Sequence, residues 1–376
     1  MIPVSEPVLD GREAEYVAEC LRTGWISSSG RFIEAFEDSW AEYCGRRFGI
    51  AVSNGTVALQ LAVSSLGIGP GDEVILPTFT IISCALAVIY AGATPVLVDA
   101  DPETWCMDVS QVEAKLTART RAIMPVHIYG HPVDMDPLLR LAQGHGLAVI
   151  EDAAEAHGAQ YLSAEGGDRV WRRCGSFGDV SCFSFYANKL VTTGEGGMVV
   201  TDNEALARRL RSLRNLAFEP SRRFLHHDLG FNFRLTNLQA AIGLAQVEQV
   251  DRTVARKRAI GHRYAVALSG VGGIRLQPER EWARSVYWMN GLALDRATGL
   301  DGRALAERLR PLGVETRPFF VGMHRQPALL DRGLFQGESY PVADEVAEQG
   351  LYLPSGVGLT DEQVDAIANA TREALR

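Results

Sequence analysis

Between residues 48 and 152, short apolar runs alternate with stretches whose apolar residues recur at helical spacing. The runs at 48–52, 74–76, 95–98, 122–126 and 148–150 predict strands. The intervening stretches at 57–66, 80–90 and 136–144 predict helices. Strands that are apolar throughout are buried on both faces. The pattern therefore predicts an α/β fold with a largely parallel sheet covered by helices on both sides. An extended arm at 3–7 and helices at 11–23 and 32–43 precede it. A strand at 179–185, another from Met198, and a helix at 203–215 continue it. Residues 161–176, with Gly166, Gly167, Arg172 and Arg173, read as a polar loop. Leu238, Ile242, Ala245 and Val250 form one apolar stripe, which predicts a single helical run over 236–267. Beyond it the pattern predicts a strand at 286–294, a helix at 301–312, a strand at 314–317 and a last helix at 361–375.

A chain of 376 residues accommodates one large domain and a smaller one, with the boundary expected at residue 250: 1–250 with the arm, then 251–376. A formal charge of −9 argues against nucleic-acid binding. The start of the chain has neither the basic region nor the apolar core of a signal peptide, and no apolar run has membrane-spanning length. The six cysteines are scattered without CxxC spacing. They read as reduced thiols of a cytoplasmic protein, with neither a disulfide frame nor a metal site.

The strand ends carry the candidate chemistry, because ligands of parallel sheets bind beyond the carboxyl ends of the strands. Only three of the 37 basic residues are lysine: Lys115, Lys189 and Lys257. Lys115 and Lys257 lie in charged, helix-like stretches and read as solvated. Lys189 lies among apolar and small residues just past the 179–185 strand. A desolvated lysine can lose its proton and act as an amine nucleophile, whereas arginine cannot. Lys189 is thus a candidate for Schiff-base chemistry; the alternative is a lysine whose stem packs while its head reaches water. Ser53-Asn54-Gly55-Thr56 joins a strand to a helix and offers backbone N–H groups and a hydroxyl as a phosphate seat, or a plain helix cap. The glycines of 193–197 lack both nucleotide-loop spacings and lead into a strand. Asp152 closes a strand and could hold a protonated ring nitrogen; Glu155 and His157 follow it, the histidine more simply read as structural. A phosphate seat, a carboxylate, Ser184 and a lone lysine, all at strand ends, are the partners pyridoxal phosphate (PLP) requires.

The chain resembles the DegT/DnrJ/EryC1/StrS family of PLP-dependent sugar aminotransferases, nearly end to end. The resemblance rests on Gly24-Trp25-Ile26-Ser27-Ser28, Ser53-Asn54-Gly55-Thr56-Val57-Ala58-Leu59, and Val126-His127-Ile128-Tyr129-Gly130-His131-Pro132. It continues through Glu151-Asp152-Ala153-Ala154-Glu155, Asn232-Phe233-Arg234-Leu235-Thr236-Asn237, Glu315-Thr316-Arg317-Pro318-Phe319-Phe320 and Met323-His324. It implies the type I aspartate-aminotransferase fold, with Lys189 as the Schiff-base lysine and Asp152 at the pyridine nitrogen. Glu155 would sit near the ring hydroxyl, and Gly55, Thr56 and Ser184 at the phosphate. Asn232 would reach the neighbouring subunit's phosphate, making a homodimer the active unit. Trp25, Ser27, Arg317 and His324 would lie towards substrate, Arg317 equally well as a structural ion pair. Related chains carry an aromatic residue on the cofactor ring where this one has Ile81, which implies looser cofactor holding. The implied reaction moves an amino group from L-glutamate to C4 of a nucleotide-linked 4-keto-6-deoxy sugar. GDP-4-keto-6-deoxymannose is the first expectation; UDP- or dTDP-keto sugars and keto-cyclitols are alternatives. Dehydratases of the family replace the lysine with histidine, which Lys189 argues against. A non-catalytic PLP-binding sensor is the alternative from another class.

Overall fold

The computed structural model describes every residue except Pro220 and Arg223. The first five strands are β1 (Phe48–Val52), β2 (Glu73–Pro77), β3 (Thr94–Val98), β4 (Thr120–Ile123) and β5 (Ala148–Asp152). A hairpin, β6 (Gln160–Ser163) and β7 (Val170–Arg173), is followed by β8 (Val180–Ser184) and β9 (Gly197–Thr201). All but the hairpin join one seven-stranded sheet in the order β1-β9-β8-β5-β4-β2-β3. β9 alone runs against its neighbours. Helices α1 (Glu13–Thr23), α2 (Arg31–Cys44), α3 (Gly55–Ser65), α4 (Ser83–Tyr90), α5 (Met135–His145), α6 (Glu204–Arg214) and α7 (Asn237–Val247) belong to this part. The fully apolar strands bury Ile50, Ile75, Ile150 and Val199 in one core, as continuous apolar runs require.

α8 (Val250–Ala267) leads out of this core: Val250 packs in it, whereas Ile260 and Tyr264 belong to a second one. The second core lies under an antiparallel sheet, β10 (Ile274–Leu276), β12 (Asn290–Leu294), β13 (Arg317–Pro318) and β14 (Gly350–Leu353), in the order β10-β12-β14-β13. β11 (Ala283–Arg284) instead extends the β6–β7 hairpin. Helices α9 (Gly302–Leu309), α10 (Pro327–Leu330), α11 (Pro341–Gln349) and α12 (Asp361–Ala374) complete the chain.

Three readings of the sequence need correction. The stretch 161–176 is not a loop but the β6–β7 hairpin, turning at Gly166 and Gly167, both at positive φ. Its strands have only four residues each, too short for alternation to stand out. The helical run at 236–267 is two helices, broken at Glu248 and Gln249. The Thr236–Gln239 capping box starts α7, but the apolar stripe continues across the break and conceals it. Lys257 is not solvated. Its side chain is buried, with the ammonium donating to the carbonyls of Trp288 and Ser355.

Candidate active site

Parallel strands bring their carboxyl ends to one edge of the sheet. There β1 leads into Asn54 and Gly55, β5 ends at Asp152 and β8 at Ser184, around a cavity of about 640 Å³. Gly55 begins α3, and the Asn54 side chain caps the helix by accepting from Val57 N at 3.0 Å. A Cβ on Gly55 would stand 2.7 Å from Ser184 Cβ, so only glycine lets the helix start pack here. The seat therefore combines the first N–H groups of α3, of which the Asn54 cap takes only that of Val57, with the Ser184 hydroxyl and the Thr56 hydroxyl, itself 2.9 Å from Ser83 Oγ.

Lys189 Nζ enters the cavity with only 10 % of its side chain accessible. It stands 3.8 Å from Glu155 Oε1 and 3.7 Å from the centre of the Trp288 ring. Burial lowers the lysine's pKa from its ordinary value, against the pull of Glu155 and Asp152. Burial likewise raises the Glu155 carboxyl, although Lys189 and the Tyr129 N–H at 2.7 Å oppose it. Tyr129 reaches that hydrogen bond in the left-handed region, at φ 54°. Asp152 accepts from Ala154 N at 3.0 Å and from Cys84 Sγ at 3.1 Å, yet burial still raises its carboxyl above its ordinary value.

These residues fit PLP. Asp152 is a buried carboxylate that no lysine or arginine pairs within 4.0 Å among the described residues, a place suited to a protonated ring nitrogen. Ala154, Trp288, Phe320 and Tyr352 supply apolar wall. Ile81 is on the rim, 46 % exposed.

Other residues singled out in the sequence lie elsewhere. Asn232 is exposed, bridged to Asn215, and lines no part of this chain's cavity. Trp25 and Ser27 are exposed on a loop whose carbonyls bind the Asn237 side chain and main chain. Arg317 is exposed and paired with Glu315. His324 is buried between Thr78 Oγ1 at 2.8 Å and Asp344 Oδ1 at 3.0 Å, outside the cavity lining. His157 is enclosed by the rings of Trp40, Phe183 and Phe185. Trp288 and Tyr352 went unnoticed in the sequence, and Phe320 stood in a motif without being given a place in the site. Trp288 stands in an apolar run that announces only a strand, and nothing local ties it to Lys189.

His127, Glu151 and Cys174 are a metal-ligating combination within 4.8 Å. Glu151, however, already accepts from Gly175 N, Phe177 N, Ser181 Oγ and His127. Burial alone would raise its carboxyl, but His127 and the Gly175 N–H outweigh it and hold it at about 2. The cluster is a structural brace between β5 and the approach to β8.

No helix among the described residues is long and apolar enough to cross a membrane. The chain is 44% identical over 375 residues to "GDP-perosamine synthase" of Caulobacter vibrioides, covering 100% of this chain and 98% of the relative. It is 42% identical to the protein of that name from Escherichia coli O157:H7, over 99% and 98% of the two chains. The crystal structure of S. venezuelae DesV in complex with a ketimine intermediate superposes with a TM-score of 0.89 at 38% identity, covering 97% of this chain and 94% of that one. The model of the DegT/DnrJ/EryC1/StrS aminotransferase family matches residues 7–372. The chain belongs to this family, whose members are PLP-dependent sugar aminotransferases.

Proposed function

We propose that this enzyme moves an amino group from L-glutamate to C4 of GDP-4-keto-6-deoxymannose, giving GDP-perosamine. The reading rests on full-length identity of 44% and 42% to two GDP-perosamine synthases, together with a buried lysine amine in the cavity. Lys189 is the Schiff-base lysine and, once displaced by the incoming amine, the general base that carries the proton at the reacting carbon. Asp152 holds the ring nitrogen, and Glu155 lies at the ring hydroxyl. Gly55, Thr56 and Ser184 hold the phosphate, and Ile81 borders the ring. Bound PLP supplies the electron sink for this chemistry.

The active unit is a homodimer in which Asn232 completes the neighbouring phosphate site. Apolar side chains left bare support this: Leu229, three residues before Asn232, is 90 % exposed, and Tyr186 at the cavity mouth 48 %. Trp25, Ser27, Arg317 and His324 are assigned to the acceptor side, for Arg317 and His324 through the segment they anchor. Residues 1–250 form the cofactor-binding domain and 251–376 the small domain. The enzyme works in the cytoplasm, where six buried, unpaired cysteines are stable.

The test is spectroscopic. Adding L-glutamate to the PLP-loaded protein should replace the visible cofactor band with the ultraviolet band of the aminated cofactor. GDP-4-keto-6-deoxymannose should restore the visible band faster than UDP- or dTDP-keto sugars do. Lys189→Ala should lack the starting band. A protein that binds PLP but ignores glutamate and other amino acids would be a sensor instead, and faster restoration by another nucleotide would move the acceptor assignment.

A further inference from the structure

Trp288 lines the cavity and is held by its indole N–H, its ring and its own carbonyl. Its indole N–H donates to Asn188 O at 2.9 Å, the carbonyl just before Lys189. One ring face meets Lys189 Nζ at 3.7 Å, and Tyr129 is stacked near it with ring centres 6.3 Å apart at 24°. Its own carbonyl accepts from Lys257 Nζ at 2.7 Å. Lys257 also donates to Ser355 O, and Ser355 Oγ in turn receives Asn290 N at 2.9 Å. No carboxylate pairs with Lys257 among the described residues, and burial lowers its pKa to about 7; two carbonyls are the partners it is given. The charged groups facing Lys189 are Glu155 and Asp152. The other acids and bases of the cavity beside Lys257 are Glu6, Asp10, Arg252, Arg256 and Lys189 itself, of which Asp10 pairs with Arg252 and Arg256 with Asp361.

We infer that Trp288 and Lys257 form a two-step positioning relay for Lys189. Lys257 pins the Trp288 main chain, and the Trp288 ring holds the Lys189 amine in place and favours its ammonium form. An aromatic face over a desolvated cation stabilises the charge, opposing the burial that weakens it. Among the described residues no hydrogen bond or ion pair joins Trp288 or Lys257 to Glu155 or Asp152, so the ring acts on the amine directly, beside the carboxylates. The inference rests on Lys189 being the reacting lysine, and on nothing about the acceptor sugar.

The test uses the full-length chain freed of cofactor. Trace acetylation with acetic anhydride across pH, read by mass spectrometry of the Lys189 peptide against Lys115, reports how much amine is unprotonated. In Trp288→Leu, Lys189 labelling near neutral pH should rise by about threefold to thirtyfold, the range a cation–π contact gives. Trp288→Phe keeps a ring face and should stay within about twofold of wild type. Lys257→Met should raise labelling in the wild-type background and leave it unchanged in the Trp288→Leu background, because its effect passes through the indole. If Lys257→Met does not fold, Lys257→Gln takes its place. Unchanged or slower labelling in Trp288→Leu, an equal rise in Trp288→Phe, or an equal Lys257 effect in both backgrounds would overturn the relay. The outcome is separate from the band test with Lys189→Ala, which examines the role of Lys189 itself.

Discussion

Ile81 stands half exposed at the cavity rim, where an aliphatic branch gives the cofactor ring less contact than an aromatic face. Ring stacking contributes roughly 1 kcal/mol beyond area burial, or about a fivefold change in affinity. Ile81→Tyr should therefore bind PLP about fivefold more tightly in an equilibrium titration; equal or weaker binding rules the idea out. A second residue-scale consequence concerns pH. His157 is buried among three aromatic rings, and burial first, then the Lys189 charge, lowers its pKa to about 3. The unfolded chain binds this proton near pH 6.5, so His157 costs stability only below that pH, increasingly as pH falls. Between pH 8 and pH 5 the cost is about 2 kcal/mol. Asp152 and Glu155, both raised by burial, act in the opposite sense, so the measurement must be a difference. Urea unfolding at the two pH values should show His157→Phe losing about 2 kcal/mol less than wild type on acidification. Equal losses would mean that the imidazole takes up its proton as readily inside the fold as in the unfolded chain.

At the scale of elements, the start of α3 makes the proposed phosphate seat, and its geometry depends on Gly55. A methyl group there would lie 2.7 Å from Ser184 Cβ, so Gly55→Ala must push the strand end and the helix start apart. Losing one charge-assisted hydrogen bond to the phosphate should weaken PLP binding by about tenfold to a hundredfold. Stability without cofactor should fall as well, by about 1–3 kcal/mol, because the added methyl overpacks the junction of the helix start and the strand end. Affinity equal to wild type would place the phosphate elsewhere. This seat was legible in the sequence because a strand, a cap and a helix follow one another within a few residues. Lys189, Asp152 and Ser184 were legible for the same reason: each ends an apolar run. The alternation of apolar runs with helical stretches likewise gave the parallel sheet. What escaped was whatever depends on distant segments meeting. The β6–β7 hairpin is completed by β11, more than a hundred residues away, and the break between α7 and α8 leaves the apolar period intact. Lys257 reads as a surface lysine because its neighbours are charged; only packing against Trp288 and Ser355 buries it.

For the molecule as a whole, the central question is what covers the cavity mouth. One chain supplies Gly55, Thr56 and Ser184 to the seat, while Asn232, its proposed fourth contributor, faces solvent on a segment bridged to Asn215. From there the asparagine does not reach its own chain's cavity, and in the proposed twofold dimer a second copy would bring it to the neighbour's cavity. Sharing of this kind has a signature that no monomer can imitate. Asn232→Ala and Lys189→Ala should each be weak or inactive alone. When the two variants are dissociated, mixed and reassociated, half of the dimers contain one of each. In such a dimer one site carries both defects and the other neither, because the intact Lys189 and the intact Asn232 come from different chains. Mixing should therefore restore about a quarter of wild-type activity. If Asn232 served its own chain, every site in the mixture would carry one defect, and no activity would return. Leu229→Asp offers an independent check: if the proposed dimer covers this side chain, 90 % exposed in one chain, a charge there should shift the assembly towards monomer in sedimentation.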